Sequence, residues 1–175
     1  MLERMIGVAR LNVHTFEEVE NDNNATTQAM LVVVIVSIAA AIGGLLAFGG
    51  NPITGLIFGV LRGLLGWALW ALVTYLVGTT IFNTPNTHAN WGQMARGTGF
   101  AQTPGVLQIF AFITFLGGLI ALVASIWQLV AMVIAVRQAL DYESTWRAVG
   151  VVVVGFVIVI IPMIIIGVIL GARVG

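Results

Sequence analysis

Apolar residues in this chain come in long unbroken blocks, and the polar residues gather in the intervals between them. Ala29 to Phe48 holds 20 residues without a charge, which suits one crossing of a hydrocarbon core about 30 Å thick. Gly49-Gly50-Asn51-Pro52 ends that block. Asn51 before Pro52 then predicts a helix start, because proline at the first helical position gives up only an amide that would be unpaired anyway. Ile53 to Phe82 is the next apolar stretch, 30 residues interrupted by Arg62. A guanidinium at the bilayer centre is expensive, so Arg62 is expected toward the headgroups with Gly63 to Phe82 as the spanning part; a buried functional arginine is the alternative. Asn83 to Thr103 is polar, contains Pro85, His88, Trp91 and Arg96, and reads as an extramembrane loop with an aromatic anchor at its edge.

The longest charge-free block is Gly97 to Val136, forty residues followed at once by Arg137, Asp141, Glu143, Ser144 and Arg147. Its most apolar part, Val106 to Val136, would be roughly 46 Å long as one helix, too long for a single crossing. A break at Gly117-Gly118 divides the block into Pro104 to Leu116, 13 residues, and Leu119 to Val136, 18 residues. The first arm, at roughly 20 Å, needs tilt, a boundary shift or local thinning to cross. Val149 to Leu170 is the last block, dense in Val and Ile, with Pro162 expected to kink it. The resulting division is an amphipathic and acidic segment over 1–28, spans near 29–48, 56–82, 104–118, 119–138 and 148–170, and a short tail over 171–175.

Within the first segment, Leu2, Met5, Ile6 and Ala9 fall at helical spacing and predict a short helix in the membrane interface, a frayed tail being the alternative. Thr15-Phe16-Glu17-Glu18 matches the capping-box pattern. Glu17, Glu18, Glu20 and Asp22 could attract a hard cation but lack the spaced ligands, central glycine and closing glutamate of an EF-hand loop, so a solvated acidic face is expected. No continuous apolar centre resembles a signal peptide, and the N-terminus is expected to stay uncleaved.

Composition removes several classes. The chain is 59% hydrophobic and 8% charged, with mean hydropathy +1.06, against about 25% charged residues in soluble domains. Net charge is zero and all seven basic residues are arginine, so no basic field exists for nucleic acid. With no cysteine, disulfides, thiolate metal sites and a Cys nucleophile are excluded. Arginine placement also bears on topology, since cytoplasmic loops are enriched in it. Five crossings put Arg4, Arg10, Arg96, Arg137 and Arg147 on the N-terminal side and leave Arg62 and Arg173 opposite. Four crossings divide them four against three. The expected class is therefore an all-α, polytopic membrane helix bundle of five transmembrane helices with its N-terminus in the cytoplasm.

Candidate chemistry is sparse. Gly55, Gly59 and Gly63, and likewise Gly167, Gly171 and Gly175, form small-residue ridges suited to close helix packing, within the chain or between chains. Ser37, Thr74, Tyr75, Gln108, Thr114, Ser125 and Gln128 are the polar residues inside spans, expected to bond across helices or to their own backbone. No Asp or Glu lies in a span, which counts against a proton- or ion-coupled carrier. His14 and His88 fall outside the spans, away from any haem or pigment site near the bilayer centre. No nucleophile elbow or phosphate-binding glycine loop is present, so no enzyme activity, cofactor or metal is expected. Arg137 to Arg147 is the densest polar site: Arg137 and Asp141 are spaced to pair, Ser144 to cap the next helix and Trp146 to anchor it. This elbow (Arg137, Asp141, Glu143, Ser144, Arg147) is the candidate docking surface.

Gly99-Phe100-Ala101-Gln102-Thr103-Pro104-Gly105-Val106-Leu107, then Gly117-Gly118-Leu119, Ile126-Trp127, Val136-Arg137-Gln138-Ala139-Leu140-Asp141 and Thr145-Trp146-Arg147-Ala148 resemble the second half of bacterial Yip1-domain membrane proteins. Thr15-Phe16-Glu17-Glu18-Val19-Glu20 leading into Ala25-Thr26 is similar to the acidic segment before their first span. The resemblance covers nearly the whole chain and implies five membrane helices with a cytoplasmic N-terminus, in the plasma or inner cell membrane. Its eukaryotic branch is associated with Rab GTPases and traffic between endoplasmic reticulum and Golgi. That role does not carry over, since the Asp-Leu-Tyr-Gly-Pro signature and a Rab-binding extension are missing here. The expected work is interaction: a scaffold, assembly factor or accessory subunit of a larger membrane complex, partnered by the lipid bilayer and by other membrane proteins in a hetero-complex or homo-oligomer. The alternative is a small-solute transporter or channel lined by Arg62, Gln108 and Gln128.

Overall fold

A computed structural model describes the backbone of residues 1–171 and the side chains of residues 1–162 and 164. Among the described residues the chain is wholly helical: α1 (Leu2–Ala9), α2 (Val13–Asn21), α3 (Ala25–Phe48), α4 (Pro52–Thr80), α5 (Trp91–Phe100), a 3₁₀ helix (Thr103–Phe110), α6 (Gly117–Ala139) and α7 (Thr145–Gly171). Four stretches are long and apolar enough to cross a membrane: α3, α4, α6, and Thr145–Pro162 of α7. Their outward residues, such as Leu65, Leu69 and Leu72 on α4 and Leu119, Leu122 and Ile126 on α6, are exposed. A continuous oily surface of this extent suits lipid, where each helix satisfies its own backbone.

α3 and α4 form an antiparallel hairpin. Gly49 and Gly50 turn it with φ of 75° and 122°, a region that costs glycine little. The Asn51 side chain then accepts from the amides of Ile53 and Thr54 at 3.0 and 3.2 Å, with Pro52 opening the helix, as the Asn-Pro pair predicts. Gly55, Gly59 and Gly63 face Leu45, Ala41 and Ser37 of α3 respectively. That ridge is therefore consumed inside the chain. The surroundings of Gly167 and Gly171 lie outside the described residues, as does Gly175 with the tail over 172–175. α7 continues through Pro162.

The largest departure from expectation lies between α4 and α6. Asn83 to Thr103 is not merely a surface loop: it contains α5, whose residues Met94 to Phe100 are all buried. The 104–118 region holds no spanning α-helix, only the 3₁₀ helix and a turn. The contacts explain how the two pieces work together. Arg96 reaches Thr26, Gly99 faces Ala29, Gly105 faces Val36, and the Gln108 carbonyl abuts Gly43. α5 and the 3₁₀ helix thus run alongside α3 in its own direction. From Arg96 to Gln108 this segment advances about 22 Å, because 3₁₀ turns rise about 2.0 Å per residue instead of 1.5. The matching stretch of α3, Thr26 to Gly43, covers about 25 Å. A stretched helix with small residues at its contacts thereby keeps pace with a longer α-helix. α6 returns antiparallel, with Gln128 against Gly105 and Ala135 against Gly97, and α7 packs on α4 through Gly155 against Trp70 and on Phe82, just beyond the end of α4, through Gly150.

The same register gives Arg62 its height in the bundle. Because Gly63 packs on Ser37, Arg62 lies beside the middle of α3, about 16 Å along α4 from its Asn51 cap. It stands at mid-height of the bundle rather than near a helix end, since glycine packing against α3 fixes the pairing regardless of charge.

Candidate functional site

The candidate elbow connects α6 and α7 on the side of the bundle where α3 begins. Leu140 is fully buried and packs on Gly78 near the end of α4. Asp141 takes a φ of 52°, a left-handed conformation that Asp tolerates better than most residues. The Tyr142 hydroxyl donates to the Gly78 carbonyl at 2.9 Å. The expected Arg137–Asp141 ion pair does not form. Arg137 instead donates to the carbonyls of Tyr142 and Glu143, each at 3.1 Å. The left-handed turn at Asp141 diverts the chain, and the guanidinium satisfies carbonyls left free beyond the helix end. Ser144 sits just before α7, where its carbonyl accepts from the Arg147 amide at 3.2 Å. Asp141, Glu143, Ser144, Trp146 and Arg147 are exposed, Trp146 to 81%.

α2 lies on the same side, and both it and α1 are docked rather than frayed, α1 reaching along the bundle to the 3₁₀ helix. Asn12, not Thr15, caps α2, its side chain accepting from the His14 amide at 3.1 Å; helix formation begins three residues earlier than the Thr15 pattern predicts. Met5 and Val8 of α1 and Phe16, Val19 and Glu20 of α2 are buried, while Leu2 and Ile6 are exposed. Trp127 of α6 donates to the Ala9 carbonyl at 2.8 Å. Arg4 occupies the acidic patch, meeting Glu18 and Asp22 at 2.8 Å each and Gln28 at 3.3 Å. Hydrogen bonding to Arg4 holds the Asp22 carboxyl below its ordinary range. An internal guanidinium thus takes the place a cation would have filled.

Arg96 ties this layer to the bundle. It projects from buried α5, and its Nε and Nη2 both donate to the Glu20 carbonyl, the first at 3.0 Å. That carbonyl belongs to the last turn of α2, where no intrahelical donor remains. The Glu20 side chain is itself buried, with Oε2 lacking a hydrogen-bond partner. Burial pushes its carboxyl up to about 7, with Asp141 and Glu17 raising it further and Arg96 opposing them.

Sequence reasoning missed α5, although a signal was present. Asn90 and Gln93 form a reciprocal capping box, Asn90 accepting from the Gln93 amide at 3.0 Å and Gln93 accepting from the Asn90 amide at 2.9 Å. The run Met94-Ala95-Arg96-Gly97-Thr98-Gly99-Phe100 then supplies small residues on several faces. Trp67 donates to the Ala95 carbonyl at 2.9 Å, and Thr98 returns its hydroxyl to the Met94 carbonyl at 2.7 Å.

Two further features concern the mid-height polar residues. Gln108 donates to Gln128 at 3.3 Å, and Gln128 donates to the Gln102 carbonyl at 3.1 Å. A cleft of about 590 Å³ between α3 and α4 runs from Phe48 and Gly49 down to Ser37, Arg62 and Gln108. Ser125 and Gln128 border a second cavity, of about 320 Å³, with Trp67, Trp70 and Phe156.

A folded polar layer pinned by a buried arginine onto four long apolar helices defines a polytopic α-helical membrane protein. The profile of the Yip1 domain matches residues 6–167, and the chain belongs to that family. No curated protein and no solved structure matches it.

Proposed function

We propose that this Yip1-domain protein acts by contact, as a scaffold, assembly factor or accessory subunit of a membrane complex, through the face built from α1, α2 and the elbow. The observation that carries this reading is the tie between Arg96 and the Glu20 carbonyl. It joins segments far apart in sequence into one preformed surface bearing Glu17, Asp141, Glu143 and Arg147. In this reading the chain crosses the cell membrane five times, α5 and the 3₁₀ helix together making the third crossing, with the face in the cytoplasm. Partners are other membrane proteins in a hetero-complex or homo-oligomer, with no part for nucleic acid or a catalytic reaction. Photo-crosslinking residues introduced at Glu17 and Glu143 in cells should yield the same discrete protein adduct, absent from a lipid-facing control at Leu72. Adducts from neither position, with gentle extraction giving only free monomer, would sink the proposal.

The cleft reaching Gln108 favours a second reading, a small-solute path lined by Arg62, Gln108 and Gln128. Solute flux into liposomes that a Gln128→Leu variant abolishes would support it over the scaffold.

A further inference from the structure

We propose that Arg62 is the headgroup contact of a binding site for an anionic phospholipid. The charge argument comes first. No Asp or Glu occurs anywhere in α3, α4, α5, the 3₁₀ helix, α6 or α7, and Arg62 makes no hydrogen bond or ion pair among the described residues while remaining exposed. Among the described residues of the bundle no carboxylate supplies its counter-charge, which points to a group from outside the bundle. A second copy of the chain does not supply it, because the copy's bundle helices carry no carboxylate either. An arginine at mid-height of a membrane bundle is costly unless such a group reaches it.

The surroundings point to a lipid phosphate. Helical side chains lean toward the helix N-terminus, so Arg62 reaches toward the end of α4 marked by Asn51. The cleft of about 590 Å³ opens at that same end, beside Phe48 and Gly49, and closes at Arg62, Ser37 and Gln108. It gives a polar headgroup a way down to the guanidinium. Arg62 also borders a second, apolar groove of about 610 Å³ that continues past Leu65, Gly66, Leu69 and Trp70 to Val159 of α7. From Arg62 to Trp70 the groove extends about 12 Å farther into the bundle. Phosphate at the top, acyl chain below: this is the orientation of a lipid in the leaflet on the Asn51 side. A free anion would use the cleft and leave the groove without purpose.

The test uses the full chain purified in mild detergent, native mass spectrometry, and added phosphatidylglycerol or phosphatidylcholine. Wild type should retain phosphatidylglycerol over phosphatidylcholine by about fivefold, the scale of one basic residue meeting an anionic lipid. Arg62→Gln should abolish the preference, and Arg147→Gln, on the elbow, should leave it intact. Gly66→Leu keeps the charge but fills the groove; because a Cβ at Gly66 meets nothing within 4 Å, the variant should fold and lose retention. Equal retention by wild type and Arg62→Gln overturns the proposal. So does displacement of the lipid by millimolar inorganic phosphate, which would mark a free-anion site, or full retention by Gly66→Leu. The scaffold reading is untouched by any of these results, since it rests on the opposite face.

Discussion

Replacing Glu20 with glutamine should abolish a pH dependence in the docking of α2. Glu20 is 5% exposed, and in the docked state its carboxyl is raised from 4.5 to about 7. When α2 lifts away, the side chain is hydrated and returns to its ordinary value. Between these two values the docked form binds more protons than the open form, so docking is strongest below pH 4.5, weakens as pH rises through the window, and levels off above 7. Half of that shift amounts to about 1.7 kcal/mol, a change of more than tenfold in the opening equilibrium. The natural chain has no cysteine, so a single Val19→Cys reporter, at a position with 0% exposure, reads opening by thiol labelling in detergent. Rates normalised to exposed Asn23→Cys remove the reagent's own pH dependence. With that halved shift normalised labelling should rise about two- to threefold from pH 5.5 to 8, and Glu20→Gln should make it flat. A flat profile in the wild-type background, or an unchanged slope in Glu20→Gln, would refute the assignment of the buried carboxyl as the cause.

Other outcomes follow from packing and register. Gly99→Leu should lower thermal stability by about 1–3 kcal/mol, because even its Cβ would meet Ala29 Cβ at 2.8 Å and Trp67 Nε1 at 3.0 Å. Gly118→Ala, with nothing within 4 Å, should be neutral or stabilising by up to about 1 kcal/mol; equal melting shifts for the two would contradict the packing. Trp67→Phe removes the bond to the Ala95 carbonyl and should cost about 1 kcal/mol, seen as a lower melting midpoint in detergent. For topology, membrane-impermeant labelling of Phe48→Cys and Ser144→Cys should mark opposite sides of the membrane. Labelling from the same side would rule out five crossings.

Much of the architecture is legible in the sequence because burial in lipid leaves a coarse imprint. Charge-free blocks of membrane length lie within α3, α4, α6 and α7, and the Asn51-Pro52 start and the Gly49-Gly50 turn are where local stereochemistry requires them. α5 was hidden because its face toward neighbouring helices is built from Gly, Ala and Thr with a central arginine, residues whose hydropathy reads as loop. Its burial is satisfied by partners distant in sequence: Glu20 and Thr26 for Arg96, Trp67 for Ala95. The 3₁₀ geometry of Thr103–Phe110 was equally hidden, since the close approaches of Gly43 to the Gln108 carbonyl and of Gly105 to Val36 and Gln128 involve helices that no local pattern names.

The sequence by itself determined that this is a membrane protein of the Yip1 family and where its polar elbow lies, because hydropathy and motif are properties of consecutive residues. That Arg137 caps carbonyls instead of pairing with Asp141, that Glu20 is buried with its carbonyl on Arg96, and that Arg62 stands at mid-height of the bundle were settled by tertiary packing alone. Those outcomes depend on helix register and on small-residue contacts between α3, α4 and α5, which bring together side chains separated by tens of residues. Charge and hydrophobicity choose the environment of a segment; the fit of neighbouring helix surfaces chooses which of its polar groups meet.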